Sequence, residues 1–593
     1  MNQPGASPVR KRNVLLWGAV LLLTLLQSVI WWRVTPPWTA PDEPSHYLYV
    51  RLYAELGRTP TRADITPQHW NAILASLERN GWREYLHPGE KPAGELAQTP
   101  ELAASGLQIG RKPPGYYALA AAWLRLYPHW RSMTPAAQMH WLRILSAMLR
   151  LLTTATILFL AARLWPDAPQ RQLGVGLLVG LAPMVGFIGG SLNNDALTIL
   201  WGALTFSTLA LARSRWAWAL ALALALIGPG LIDLSLLYLW PLVLVRWAFF
   251  APSAAGARGI HLAQPPRWLL WMCGAASLLL LALLLPNPHR AAGWRWQNAS
   301  RTRETGHLFL QAQDSPARIV QIISGKRILQ RQGQLLTLSA RVSGRGRELT
   351  LRLDDGQRSV ETACPLSAQP RTCVLRLAPQ SQYISVSALL PAGEAHLQLD
   401  LVDAAGAPLL DNGHGRTPAP LGQPLFIRLE RTLPLPAGYF DHLLTAGVWD
   451  IPSLLRYGLY AAFTWASFWG DFGWLSRPYP WFTYLFLAAA TLAAAIGIAQ
   501  MLQNLLRGRS SPDAGILIFS LLAFSLILLQ TWLPMLGHAW QPQGRYLFPA
   551  LAPIAILLLL GWETLLGPRQ RLLLPLLFLS LLLLNLQAWR IVA

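Results

Sequence analysis

Asp42 and Glu43 stand side by side in Pro41-Asp42-Glu43-Pro44-Ser45-His46, shortly after the first long apolar run of the chain. Two neighbouring carboxylates at a membrane interface can deprotonate an acceptor hydroxyl, hold a divalent metal ion, or do both through different oxygens. Pro41 and Pro44 bracket the pair and restrict its backbone, which would aim the side chains. The plainer alternative makes the two acids the start of the following helix, where negative charge suits the N-terminal dipole. His46 offers a metal ligand or an acid/base partner. A lone imidazole that is simply hydrogen-bonded fits the sequence as well.

Two more polar constellations recur at the ends of apolar runs. Asn193-Asn194-Asp195 follows one run and opens the next. Asn and Asp are favoured helix caps, and Asp195 can at the same time face the first acid, because a charge at the edge of hydrocarbon turns toward protein or water. Gln541-Pro542-Gln543-Gly544-Arg545-Tyr546 sets a guanidinium between two late runs. Such a group grips phosphate, and a lipid-linked phosphate carries its charge at this depth; an Arg that snorkels to headgroups is the rival reading. Gln543 and Tyr546 can share the phosphate contact or belong to an interfacial aromatic belt. The segment Trp469 to Trp474 can stack on sugar rings or anchor the interface.

These residues need elements to carry them. Of 593 residues, 53% are hydrophobic and 13% charged, a balance far from that of a soluble globular chain. Several apolar runs approach or exceed the roughly 20 residues that cross a hydrocarbon core, where only helices or closed barrels satisfy their backbone. The expected fold is a polytopic α-helical membrane protein of about eleven transmembrane helices. Their ranges are 14–34, 141–164, 172–191, 196–212, 217–231, 233–248, 267–286, 481–502, 513–533, 547–563 and 571–589. Arg10-Lys11-Arg12 precedes the first run and places residues 1–13 in the cytoplasm. A cleaved signal peptide is disfavoured, because the run is long and ends in Trp31-Trp32-Arg33 instead of a small-residue cleavage site. Arg163, Arg171, Arg213, Arg215, Arg246, Arg258, Arg267, Arg507, Arg509, Arg569 and Arg571 mark cytoplasmic turns on this topology. The net charge of +21 therefore reads as positive-inside loops. It does not read as nucleic-acid binding, since neither a folded basic domain nor a reading motif is present.

The chain divides into an N-terminal transmembrane module, 14–286, with an external loop at 35–140; a β-rich extracytoplasmic domain, 287–440; and a C-terminal transmembrane module, 441–593. Within the loop, Lys112-Pro113-Pro114-Gly115-Tyr116-Tyr117 leads into a short apolar segment expected to lie along the interface. The stretches Leu335 to Val342 and Glu348 to Leu353 alternate apolar and polar at the period of half-buried strands, between Gly and Asp turns. A small β-sandwich insert follows from that pattern. Cys364 and Cys373 can form a disulfide if this domain faces an oxidising compartment, or remain two free thiols; Cys273, in an apolar run, is a small packed side chain. On this topology Asp42-Glu43, Asp195 and Arg545 share the outer side.

At these residues the chain resembles the domain-of-unknown-function family 2142 of bacterial membrane proteins. The features that carry the likeness are the acidic pair after the first span, Lys112-Pro113-Pro114-Gly115-Tyr116-Tyr117, Asp195 opening a span, and Gln543-Gly544-Arg545-Tyr546-Leu547-Phe548-Pro549. More widely it is similar to the glycosyltransferase C superfamily, which includes protein mannosyltransferases and aminoarabinose transferases. The likeness covers residues 14–250 and 450–590. It implies a GT-C-like fold in which Asp42 or Glu43 serves as base or metal ligand, Asp195 as second acid, and Arg545 as the grip on a polyprenyl phosphate. Members of that superfamily often carry Arg-Tyr after the acidic pair, where this chain has Ser45-His46-Tyr47. The β-rich insert lies outside the likeness.

The expected protein is a glycosyltransferase of the bacterial cytoplasmic membrane. It would move a sugar from a polyprenyl-phosphate carrier to a glycan, lipid or protein acceptor outside, in cell-envelope glycan assembly. Two rivals stand beside it. A transporter or flippase for a lipid-linked glycan would use the same charges as a binding site and would need polar groups along a path to the inner side, of which the sequence offers few beyond Asp233. A non-catalytic scaffold would bind glycan through its β-domain.

Overall fold

The computed structural model describes residues 8–86, 112–251, 285–432, 451–532 and 542–593, apart from isolated positions and short breaks. The chain falls into two compact units. One comprises Met1–Pro265, Ala462–Thr531 and Pro542–Ala593; the other comprises Pro266–Ala461 and Trp532–Gln541.

The first unit is helical. In chain order it holds α1 (Pro8–Val34), α2 (Glu43–Leu56), α3 (Pro67–Arg79), α4 (Gly115–Arg125), α5 (Pro135–Leu164), α6 (Pro169–Leu181), α7 (Pro183–Gly189), α8 (Asp195–Leu211), α9 (Arg215–Leu231), α10 (Leu239–Phe249), the last turns of α11 (Ile451–Gly470), α12 (Trp481–Leu506), α13 (Ala514–Trp532), α14 (Leu551–Leu566) and α15 (Leu573–Val592). By length and composition, five stretches among the described residues can cross a membrane: Leu15–Val34, Pro135–Leu164, Trp481–Leu506, Ala514–Trp532 and Gly544–Val592. A sixth is the bent pair α6–α7, whose halves diverge by 54°. Pro183 has no N–H to return to the preceding turn, which breaks the helix there.

These elements redraw several of the expected spans. The expected spans 196–212, 217–231 and 233–248 appear as shorter apolar helices of at most 17 residues. Pro229 lies inside α9, and a 3-10 turn, Leu234–Tyr238, precedes α10. The expected 547–563 and 571–589 fall within one apolar stretch, interrupted by the 3-10 turn Gly567–Leu572. The expected span 267–286 lies mostly outside the described residues, as do Cys273, Arg258 and Arg267; its end, Pro286, begins a strand. Small residues allow a close approach in the bundle: Gly497 on α12 and Gly561 on α14 meet backbone to backbone, where a Cβ on either would collide with the other helix, the packing that apolar surroundings favour.

The second unit holds two five-stranded antiparallel sheets. Its strands are β1 (Pro286–Ala291), β2 (Arg295–Gln297), β3 (Arg303–Glu304), β4 (His307–Ala312), β5 (Ala317–Ser324), β6 (Leu336–Arg345), β7 (Glu348–Asp354), β8 (Ser359–Pro365), β9 (Arg371–Leu377), β10 (Tyr383–Leu390), β11 (Gly393–Val402) and β12 (Pro418–Pro420). The sheet orders are β8-β7-β10-β5-β2 and β9-β6-β11-β4-β3, with β12 pairing β1 separately. Alternate residues point into a shared core: Leu336, Leu338, Ala340 and Val342 from β6 meet Leu349, Leu351 and Leu353 from β7 and Ile384, Val386 and Ala388 from β10. Cys364 on β8 and Cys373 on β9 are joined as a disulfide, which ties an edge strand of one sheet to an edge strand of the other.

Candidate functional site

The segment between α1 and α2 separates the two adjacent acids. Asp42 occupies the N-cap position of α2 with φ 63°, a left-handed conformation, and its carboxylate makes no capping bond. Holding a non-glycine residue there costs roughly 1 kcal/mol, so the surroundings must enforce it. Glu43 supplies that enforcement. Its side chain and that of Arg143 are both fully buried, with Arg143 Nε donating to Glu43 Oε1 at 2.9 Å and Nη2 to Oε2 at 2.7 Å. The same guanidinium donates to the carbonyls of Thr35 at 2.7 Å and Pro36 at 2.9 Å, while the Leu192 N–H donates to Glu43 Oε1 at 2.9 Å. One clamp therefore fixes both the Asp42 segment and the loop before Asp195. Both Glu43 oxygens are thus occupied by this clamp.

Asp42 turns the other way. Its Oδ2 accepts from Arg545 Nη2 at 2.7 Å, and Arg545 Nη1 lies 3.7 Å from Asp195 Oδ2. The three residues that the sequence sets hundreds of positions apart thus meet at one guanidinium. Arg545 Nε also donates to Gln543 Oε1 at 2.5 Å, and its guanidinium lies 5.6 Å from the centre of the Tyr546 ring. The Gln-Gly-Arg-Tyr motif owes its shape to close packing. Gly544 lies against the backbone of Phe468 with no room for a Cβ, and its N–H donates to Ser467 Oγ at 2.8 Å. The carbonyl of Pro549 receives the Tyr238 hydroxyl at 2.8 Å.

A second ion pair completes the cluster. Lys112 Nζ is 2.6 Å from Asp233 Oδ2, which also accepts from Asn194 Nδ2 at 2.7 Å. Asn194 therefore braces Asp233 and makes no side-chain cap, while Asn193 Oδ1 accepts the Asp195 N–H at 2.7 Å. Three acids, Asp42, Asp195 and Asp233, face two cations, and the buried Oδ2 of Asp195 has no hydrogen-bond partner among the described residues. Burial pushes the Asp42 carboxyl up, but the Arg545 guanidinium, helped by Lys112, outweighs it and holds the group below the usual carboxylate range. Burial lowers Lys112, and Asp233 with Asp195 more than reverses this, keeping it protonated.

His46 is buried, stacked on Tyr117 with ring centres 5.9 Å apart, and its Nδ1 is 2.9 Å from the Tyr117 hydroxyl. Desolvation pushes its pKa down to about 3, so the ring is neutral at ordinary pH. Among the described residues, no group of three His, Cys, Asp or Glu side chains could hold a metal ion. Trp469 is buried in the apolar core, and Trp474 packs edge-on against Trp82 at 6.0 Å, so both rings are engaged by protein. Sequence reasoning missed Lys112 and Arg143 as members of the site. Their signals were present: one of the few lysines of an arginine-rich chain, and an Arg inside an apolar run.

No protein-family model matches the chain, and no curated protein does. Among solved structures, similarity extends to the carbohydrate-binding module TmCBM61 in complex with β-1,4-galactotriose, at 14% identity and TM-score 0.15, covering 20% of this chain and 97% of that one. A family GH115 4-O-methyl-α-glucuronidase with specificity for decorated arabinogalactans is 11% identical at TM-score 0.12, over 56% of this chain and 44% of its own. Neither likeness bears on what this chain does.

Proposed function

We propose that the chain is a membrane glycosyltransferase of GT-C-like architecture, with about eleven spans, an external β-domain and an inner-membrane location. It would take a sugar from a polyprenyl-phosphate carrier and pass it to a hydroxyl of an extracytoplasmic acceptor. The observation that carries the reading is the single guanidinium of Arg545 held between Asp42 and Asp195. An arriving lipid phosphate competes with Asp42 for Arg545 and releases the carboxylate. The acceptor oxygen then attacks the anomeric carbon, its proton passes to Asp42, and the carbon–oxygen bond to phosphate breaks with the electron pair leaving on phosphate. Arg545 stabilises that charge, with Lys112 close by as a further cation. The low pKa of Asp42 in the resting site suits this order of events, since the base is weak until its partner turns to the donor.

Asp42→Asn tests the proposal. Transfer by the purified protein from a polyprenyl-phosphate sugar should fall about 10²–10⁴-fold, while binding of the carrier persists. Unchanged turnover in Asp42→Asn would sink the assignment, and an unchanged pool of lipid-linked sugars in cells lacking the protein would sink the reaction.

A further inference from the structure

A cavity of about 440 Å³ lies between the C-terminal end of α1 and the N-terminal end of α5, lined by Trp32, Arg33, Tyr127, Met133, His140 and Trp141, among others. That volume falls within the range of small-molecule sites, roughly 300–1,000 Å³. The indole N–H groups of its walls are tied off. Trp32 Nε1 donates to the His140 carbonyl at 3.0 Å, and Trp141 and Trp123 donate to each other's carbonyls at 3.0 and 3.1 Å. The rings therefore present apolar faces to the cavity. One polar group of the lining remains open, the exposed Arg33, which has no carboxylate partner among the described residues.

The helices that border the cavity also carry exposed apolar stripes. On α1, Leu22, Leu26 and Val29 are 55%, 50% and 53% exposed; on α5, Met148, Leu152 and Phe159 are 46%, 53% and 55% exposed. Both stripes follow helical spacing from the cavity residues Arg33 and Trp141. A ligand filling this groove needs an anionic head at the helix ends and a hydrocarbon chain along them.

We infer that this groove seats an anionic glycerophospholipid of the bilayer, with its phosphate on Arg33 and one acyl chain against Trp32, Trp141 and Met133. The sugar carrier is a poorer fit, because no lining residue bonds to the Asp42–Arg545 cluster, where the carrier's phosphate is assigned. A lipid here would brace the two helices from which the Arg143 clamp hangs. The inference rests on α1 and α5 lying in lipid and is independent of the transfer chemistry.

Native mass spectrometry of the full chain in detergent, titrated with phosphatidylglycerol and with phosphatidylcholine, tests it. The wild type should prefer phosphatidylglycerol by about five-fold, as one cation near an anionic lipid supplies. Arg33→Gln should abolish that preference, and Ala137→Trp, which fills the groove, should weaken both lipids while circular dichroism stays unchanged. Asp42→Asn should bind as wild type does, which keeps failure of the transferase reading distinct from failure of this one. A preference that survives Arg33→Gln, undiminished binding in Ala137→Trp, or displacement of phosphatidylglycerol by stoichiometric polyprenyl phosphate would each overturn the inference.

Discussion

Arg545 and Arg150 are both buried arginines of the helical unit, and they are held in opposite ways. Arg545 sits between two carboxylates, 2.7 Å from Asp42 and 3.7 Å from Asp195. Arg150, on α5, has no carboxylate partner among the described residues. It donates to Ser28 Oγ at 2.8 Å, to Gln27 Oε1 and to the carbonyl of Gly180. Gln27 and Asn585 reach the next carbonyl, Leu181, at 3.1 and 2.8 Å. Both carbonyls lie in the last turn of α6, where C=O groups lack helical partners and a cation is favourable. The mid-bundle polar groups thus serve the broken helix, whereas the Arg545 cluster keeps a carboxylate oxygen, Asp195 Oδ2, without a hydrogen bond among the described residues. A polar path of the kind a transporter needs gains nothing from residues bound to backbone in this way.

The contrast can be broken at several points. The largest effect is expected at the clamp beneath the site. Glu43→Ala leaves Arg143 buried and unpaired and should cost about 3–5 kcal/mol of stability, read as a lowered thermal midpoint in detergent; Glu43→Leu with Arg143→Met should recover part of it while transfer stays low. A Glu43→Ala protein as stable as wild type would remove the clamp from the account. Next, Arg545→Lys keeps the charge and loses the planar fork, so transfer should drop about 10²-fold with the fold intact. At Arg150 the prediction reverses. Arg150→Met should lower stability by about 2 kcal/mol and leave transfer per folded molecule unchanged, and a loss of transfer there would erase the distinction between the two arginines.

At neutral pH the effect of His46 is nil, and it emerges only in acid. Burial holds its folded pKa near 3, against an ordinary 6.5, so as pH falls the unfolded chain takes up the proton first. This contribution to stability is complete above pH 6.5 and is lost toward pH 3, at up to about 1.4 kcal/mol per pH unit. His46→Gln should flatten that slope in denaturation measured across the window, and the transfer rate should show no inflection from His46 near neutrality.

Much of the architecture was legible beforehand. Long apolar runs and period-two alternation in the insert report directly on burial, which is a local property of sequence. The span count was less legible. Pro183 and Pro229 shorten or bend helices that hydropathy alone reads as continuous, and apolarity does not record where a proline interrupts the hydrogen-bond ladder.

The sequence by itself determined that Asp42, Asp195 and Arg545 would stand at the ends of apolar segments, because hydrocarbon excludes unpaired charge and pushes it to such ends. Only the tertiary structure decided what each pairs with. Asp42 and Glu43 are neighbours of nearly equal chemistry, and nothing local tells them apart; the difference arises because Arg143, a hundred residues on, fits Glu43 and its carbonyls, while Arg545 arrives from the far end of the chain to face Asp42. Long-range pairing of charges depends on which helices pack together, and packing is a property of the whole bundle.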